Sequence, residues 1–322
     1  MAQIPSDRLV TIYGGSGFVG RHLVRALAKR GWRIRVAVRR PDLAGHLQPL
    51  GVVGQIMPVQ ANLRFPESVA RAAEGASAIV NLVGILYQSG AQRFDAVQAQ
   101  GAEAVAKAAK QEGARLVQMS AIGADENSDS TYGRTKALGE QAAFAAKRDA
   151  IVMRPSIIFG PEDDFFNRFA SLARISPFLP LIGGGETKFQ PVFVGDVAEA
   201  IAKAVEGEAQ GGQIFELGGP EVKSFRELME ITLREIGLKR LLLPLPFPIA
   251  RMQAFFMEMM PKPMLTRDQI KMLAHDNIVS AGAIRDRRTL EGLGIVPTAM
   301  RAILPSYLWR FRKAGQFTKA AT

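Results

Sequence analysis

The chain has 322 residues, 48% of them hydrophobic and 22% charged, which is enough for one large α/β domain and a smaller one. It contains no cysteine, excluding disulfides, zinc–thiolate sites and thiol catalysis, and its three histidines (His22, His46, His275) stand apart, with no carboxylate cluster to complete a metal site. The net charge is +11, and residues 222–322 hold 17 Lys/Arg against 8 Asp/Glu, which points to an acidic partner surface, anionic lipid or nucleic acid, or else to a well-solvated face.

The opening residues MAQIPSDRLV lack the charged head and apolar run of a signal peptide and the Arg/Ser-rich pattern of a transit peptide. The longest apolar run, LLLPLPFPIA at 241–250, is short of a membrane span and carries three prolines. An intracellular protein that does not cross a membrane is therefore expected. From the start of the chain, apolar runs end near Tyr13, Val38, Val59, Val83, Met119 and Ile158. Helix-like segments separate them, among them Gly20–Arg30 and the alanine-rich Phe94–Glu112, where Val97, Ala104, Val105 and Ala108 share a face. Such alternation predicts an α/β fold, a Rossmann-like doubly wound parallel sheet. Past Gly160 the sequence turns to Pro/Gly-rich loops (SPFLPLIGGGETKFQP) and basic helices. Residues 1–160 are expected to form the nucleotide-binding domain and 161–322 a smaller, interleaved C-terminal α/β domain. Segments within about 191–219 (Pro191–Val205 and Gln213–Gly219) are expected to return to the first domain.

The first strand leads into TIYGGSGFVGRHLV, which satisfies both Gly14-x-x-Gly17-x-x-Gly20 and Gly15-x-Gly17-x-x-Gly20. Glycine is needed there for a tight strand-to-helix turn, for close backbone approach to a pyrophosphate and for helix–strand packing. The helix N-terminus that follows offers free N–H groups and a positive dipole end to phosphates. An NAD site normally has an acid at the end of the second strand, whereas RIRVAVRRPD ends on Arg39 and Arg40, with Asp42 beyond a proline. Guanidinium groups suit a 2′-phosphate, so NADP(H) is the expected cofactor; the alternative is that both arginines are surface charges. Further along, Tyr132 and Lys136 in YGRTK share one helix face. An ammonium beside a phenol can stabilise phenolate for acid–base work, and the lysine can equally hold a nicotinamide ribose.

The order GGSGFVG, NLVG (81–84), LVQMS, YGRTK and RPSIIFGPED resembles the atypical or extended short-chain dehydrogenase/reductase superfamily across essentially the whole chain. Within it, NLVGIL, YGRTKALGE, RPSIIFGPEDDFFNRFA and LTRDQIKMLAHDNIVS are similar to the NAD(P)H-binding accessory subunits of respiratory complex I, and the absence of a presequence points to a bacterial version. The resemblance implies that Gly14, Ser16, Gly17, Phe18, Val19 and Gly20 hold the pyrophosphate, with Arg21 assisting. It places Arg39 and Arg40 at the 2′-phosphate, Asn62 and Leu63 beside the adenine (Asn62 where Asp is usual), and Asn81, Leu82, Val83 and Gly84 along the cleft. Ser120, Tyr132 and Lys136 fall at the nicotinamide ribose, and Pro155, Ser156, Ile157 and Ile158 behind the nicotinamide ring. Ser120 comes earlier than the serine or threonine of active members, which implies a cofactor-holding or vestigial triad.

In the C-terminal part, Met252, Phe255, Phe256, Met259 and Met260 form an apolar stripe, either core, a pocket lid, or a docking face for a subunit or membrane. The tail SYLWRFRKAGQFTKA interleaves aromatics with Arg310, Arg312, Lys313 and Lys319, a composition that fits a lipid-headgroup or protein interface; no nucleic-acid module is recognisable. The resulting expectation is a non-catalytic NADP(H)-binding accessory subunit of complex I. Its partners would be other complex I subunits and, through the basic C-terminal region, an anionic membrane surface, with no nucleic acid. It would sit peripherally on the cytoplasmic side of a bacterial inner membrane. The alternatives are a free NADP-dependent reductase or epimerase acting on a sugar-nucleotide, isoprenoid or quinone-like substrate, and a redox-sensing regulator.

Overall fold

Short apolar runs and amphipathic segments alternate through the first half of the chain and fold into successive strand–helix units. The computed structural model describes residues 7–260, 263 and 265–313. The first half comprises β1 (Leu9–Tyr13), α1 (Phe18–Lys29), β2 (Arg33–Val38), β3 (Ile56–Gln60), α2 (Pro66–Ala73), β4 (Ala78–Asn81), α3 (Gln100–Gln111), β5 (Arg115–Met119), α4 (Thr131–Ala146) and β6 (Ile151–Pro155). There follow β7 (Ile158–Phe159), α5 (Phe165–Ile175), β8 (Phe178–Ile182), β9 (Lys188–Phe189), β10 (Val192–Phe193), α6 (Val194–Glu206) and β11 (Ile214–Leu217). The chain continues through β12 (Lys223–Ser224), α7 (Phe225–Ile236), β13 (Leu241–Leu245), α8 (Phe247–Met257), α9 (Arg267–Met272), α10 (Ala281–Arg285) and α11 (Met300–Leu308).

Seven strands form one parallel sheet in the order β11-β6-β5-β4-β1-β2-β3. Strand order reverses at β1, and the carboxyl ends of β1 and β4 mark the switch point, where doubly wound sheets bind ligands in a crevice. On one face Leu23, Val24 and Leu27 of α1 pack with Val197, Ile201 and Ala204 of α6; on the other, α2, α3 and α4 cover Ile79 and Leu116. Burying each of the larger side chains contributes about 1.5–3 kcal/mol. That packing holds α1 on the sheet although its N-terminus has no side-chain cap. The run ending at Ile158 is not one strand. β6 stops at Pro155, the buried Ser156 hydroxyl bonds to Asn277, and Ile158 begins β7, which pairs with β10. The predicted Phe94–Glu112 helix is also divided, with a π turn at Asp95–Ala99 preceding α3.

Segments beyond residue 160 enter the first layer, since α6 packs on α1 and β11 is the edge strand beside β6. The remainder surrounds a second core of Phe159, Phe166, Leu179, Phe225, Leu228, Leu304 and Tyr307. Here the structure departs from the expectation for the tail. Tyr307 is buried and donates its hydroxyl to Asp163 Oδ2 at 2.5 Å. Arg310 donates to Asn167 Oδ1 (2.6 Å) and Arg312 to the Glu235 carbonyl (2.8 Å). Tyr307, Arg310 and Arg312 thus find partners within the chain, whereas Lys313 is exposed. Lys319 lies outside the described residues. The stripe on and just after α8 behaves oppositely: Met252, Phe255, Phe256, Met259 and Met260 are 51–77% exposed, so they are not core, and α8 is anchored through Ala250 and Ala254 instead.

Candidate functional site

The crevice is built first by backbone. Gly14 N–H donates to Ala37 O of β2 (3.1 Å), and Gly17 N–H donates to Gly14 O (3.0 Å), closing the turn between β1 and α1. Gly14 has φ +78°, a left-handed conformation that disfavours other residues, and a Cβ there would lie 3.2 Å from Val83. The first bond within α1 runs from Arg21 N–H to Gly17 O, so the N–H groups of Phe18, Val19 and Gly20 precede the ladder. With no acid in the first turn and no capping side chain, this N-terminus offers donors and a positive dipole end to an anion. Ser16, Phe18 and Val19 are half-buried at its rim. Arg21 keeps a buried Nε without a partner and reaches Glu162 with Nη1 at 3.5 Å. His22 meets the same carboxylate at 3.4 Å, which brings the loop after β7 over the start of α1.

Arg39 and Arg40 stand exposed at the end of β2. Asp42 folds back onto Arg40, with Nη2–Oδ2 at 2.6 Å and Nε–Oδ1 at 2.9 Å, and this hydrogen-bonded pairing holds the Asp42 carboxyl below its usual range. Arg40 is thus engaged by an acid that the proline seemed to separate from it. Among the described residues, Arg39 has no hydrogen-bond or ion-pair partner. Asn62 accepts from Arg64 N–H (3.2 Å) while its own N–H donates to Ser68, so its side chain shapes the turn after β3. Leu63 is buried against Gly101 and serves packing there. Asn81 is buried too: Nδ2 donates to Gln118 Oε1 (3.0 Å) and Oδ1 accepts from Val83 N–H (3.1 Å), which sets the 82–84 turn. Leu82 and Val83 are half-buried, and a Cβ on Gly84 would lie 3.3 Å from Lys136 Nζ.

Ser120, Tyr132 and Lys136 come together at the carboxyl end of β5. Lys136 is buried, donates to Met119 O at 3.4 Å, and holds Nζ 5.7 Å from the Tyr132 ring centroid. Ser120 is buried and its Oγ has no partner. Burial pushes the Tyr132 phenol up to about 12, so in this structure desolvation outweighs the expected stabilisation of phenolate by lysine. Burial also pulls Lys136 down to about 8, against an opposing pull from Glu140. An unfolded lysine titrates near 10.5. Between those values the unfolded chain binds a proton that the folded chain has released, so stability gained from this group rises as pH climbs from about 8 to 10.5. Lys136→Met is expected to abolish that dependence in pH-resolved denaturant unfolding; a stability difference between the two proteins that does not change with pH would contradict it.

Pro155 is buried and Ile157 and Ile158 are half-buried beside this cluster. The Ser156 hydroxyl, expected behind the nicotinamide ring, donates to Asn277 Oδ1 at 2.7 Å. Three further groups shape the site without having been singled out from the sequence. Gln98 accepts from Thr135 on α4 and donates to Ile85 O after the 82–84 turn. Asp268 and Asn277 fasten the region around α4 from far along the chain. Both lie in LTRDQIKMLAHDNIVS, where the Thr266/Gln269 capping box marks the start of α9 but nothing in the spacing shows that Asp268 reaches the start of α4. A dinucleotide fits what is present: an uncapped helix N-terminus, glycines with backbone or Lys136 close by, and a buried, unpartnered Ser120 hydroxyl.

The chain is 36% identical over 323 residues to "NADH dehydrogenase [ubiquinone] 1 alpha subcomplex subunit 9, mitochondrial" of Arabidopsis thaliana, covering 96% of this chain and 79% of that one. It is 38% identical over 174 residues to a ceramide reductase of Caulobacter vibrioides, covering 54% of each. Its fold is similar to that of a Thermus thermophilus UDP-glucose 4-epimerase in complex with NAD, with a TM-score of 0.68 and 21% identity over 95% of this chain and 99% of the other. Residues 10–218, which include the glycine turn, the 81–84 turn and Ser120, Tyr132 and Lys136, match the NAD dependent epimerase/dehydratase family, and the chain belongs to that family.

Proposed function

We propose that the protein holds NADP(H) and acts as an accessory subunit of a respiratory NADH:quinone oxidoreductase, without turnover of its own. The observation that carries this reading is similarity to a complex I subunit over 96% of the chain, including the C-terminal part. In the site, the uncapped start of α1 would take the pyrophosphate, Ser120, Tyr132 and Lys136 the nicotinamide ribose, and Arg39, with Arg40 exchanging from Asp42, the 2′-phosphate. When bound, such a cofactor supplies hydride chemistry; the residues themselves bind and orient it. A phenol pushed up to about 12 is a weak proton donor at neutral pH, which favours holding over turnover.

The exposed apolar face of α8 supports docking on other subunits of the complex; an anionic membrane surface, at the cytoplasmic side of a bacterial inner membrane, would be met by the basic C-terminal region, with 17 Lys/Arg against 8 Asp/Glu over residues 222–322. Among the described residues no helix is long and apolar enough to cross a membrane, which fits a peripheral position. Isolation of the oxidoreductase from native membranes is expected to bring this chain with it, carrying NADP(H). An oxidoreductase that lacks the chain, with assembly and activity unchanged by its deletion, would overturn the reading. Arg39→Ala is expected to weaken NADPH roughly tenfold relative to NADH in fluorescence titration, since a charge-assisted bond to phosphate is lost. An unchanged preference would remove Arg39 from the site. The 38% identity to a ceramide reductase supports a second reading, a free NADP-dependent reductase, but over only 54% of the chain. It predicts turnover that Tyr132→Phe abolishes.

A further inference from the structure

We propose that Asp268 is a positioning residue for the nicotinamide-ribose end of the site, tying it to the helix that bears the exposed apolar face. The inference rests on the reading that this crevice holds NADP(H). Helix α4 carries Tyr132 and Lys136, and its first N–H groups lack partners within the helix. Asp268 supplies them from α9: Oδ1 accepts from Thr131 N–H (2.7 Å), and Oδ2 from Tyr132 N–H (3.0 Å) and from the Ser130 hydroxyl (2.9 Å). The carboxylate also opposes the positive end of the helix dipole. One of its bonds is to the backbone of Tyr132 itself, so any shift of Asp268 moves the phenol and, one turn on, Lys136.

The neighbouring residues pin the same loop. Lys271 Nζ donates to Asp129 O (3.0 Å) and Asn277 Nδ2 to Ile122 O (3.1 Å), while Asn277 takes the Ser156 hydroxyl. The stretch from Ser120 to Tyr132 is therefore held at both ends by residues 266–277. On its other side α9 packs Ile270 against Ala250 and Ala254 of α8, and Arg267 Nε meets Glu258 Oε2 at 2.8 Å. The exposed Met/Phe stripe borders these contacts, with the Arg267 guanidinium 5.3 Å from the ring centroid of Phe255. A contiguous run of bonds thus joins the docking face to the nicotinamide end of the crevice and leaves the adenine end, at Arg39 and Asn62, untouched.

The experiment compares two ligands on the full chain: NADPH, which spans the whole crevice, and adenosine 2′,5′-bisphosphate, which reaches only its adenine half. Asp268→Ala is expected to weaken NADPH roughly tenfold to hundredfold, as loss of hydrogen bonds to a charged group does. Bisphosphate affinity is expected to stay within about twofold, because that half of the site is distant and independent. Asp268→Asn, which keeps an acceptor for one helix N–H, should fall between the alanine variant and the unaltered protein. NADPH binding unchanged in Asp268→Ala, or an equal loss of both ligands in Asp268→Asn, overturns the assignment; the latter marks a general structural cap. If the unaltered protein binds the bisphosphate and NADPH equally well, the nicotinamide end is not engaged and the role falls. If it binds neither, the cofactor reading itself fails.

Discussion

Gly20→Ala is expected to abolish dinucleotide binding and to destabilise the fold by about 1–3 kcal/mol, the usual cost of overpacking a close contact. A Cβ at residue 20 would lie 2.5 Å from Gly15 O and 2.6 Å from Gly14 O. Both are backbone atoms of the turn, so no side chain can rotate away. Either α1 lifts from the sheet, disturbing the packing of Leu23 and Leu27, or the turn opens and its N–H groups lose their aim. Alanine's better helix propensity, about 1 kcal/mol over glycine, offsets part of the loss in stability but none of the loss in geometry. Gly17→Ala is the control, since its Cβ would meet only Gly14 O, at 3.2 Å. It should retain stability and still lose the cofactor if, as proposed, the pyrophosphate approaches this turn, because the added methyl would stand in its way. Thermal unfolding and NADPH titration of both variants check this; unimpaired binding in Gly20→Ala would contradict the role of the turn.

Glu140→Ala should lower stability by roughly 2–3 kcal/mol, because it removes a buried carboxylate's charge-assisted bonds to the half-buried Arg154. Glu140 is buried on α4 and bonds Arg154 of β6 in a fork, Oε1 to Nε at 2.8 Å and Oε2 to Nη2 at 2.6 Å. Without it Arg154 keeps Glu216, at 4.0 Å, and a weaker attraction from Asp125. The same carboxylate is one helical turn from Lys136 and opposes the downward pull of burial on that lysine. Its removal should take Lys136 below about 8, leave less of it protonated at neutral pH, and weaken the hold on a ribose. Urea unfolding reads the first effect and the pH dependence of NADPH binding the second. Arg154→Met combined with Glu140→Ala is expected to recover part of the stability, as replacing both members of a buried pair does. A double variant no better than the single would show that the pair is not the source.

Much of the site could be read in the sequence because its parts are local. A turn from strand to helix is set by a few consecutive residues, so Gly14, Gly17 and Gly20 announced it, and a helical repeat put Tyr132 and Lys136 on one face. The alternation of apolar runs likewise predicted the parallel sheet, since each strand–helix unit must bury its own face. The tertiary structure decided what depends on partners far along the chain: Asp268 at the start of α4, Asn277 on Ser156, and Tyr307 drawn into a core. It also turned the α8 stripe outward and returned Asp42 to Arg40. A hydrogen bond or a buried face is chosen by which groups packing brings within about 3 Å. Sequence spacing constrains that choice within a turn or a helix and loses hold of it across more than a hundred residues.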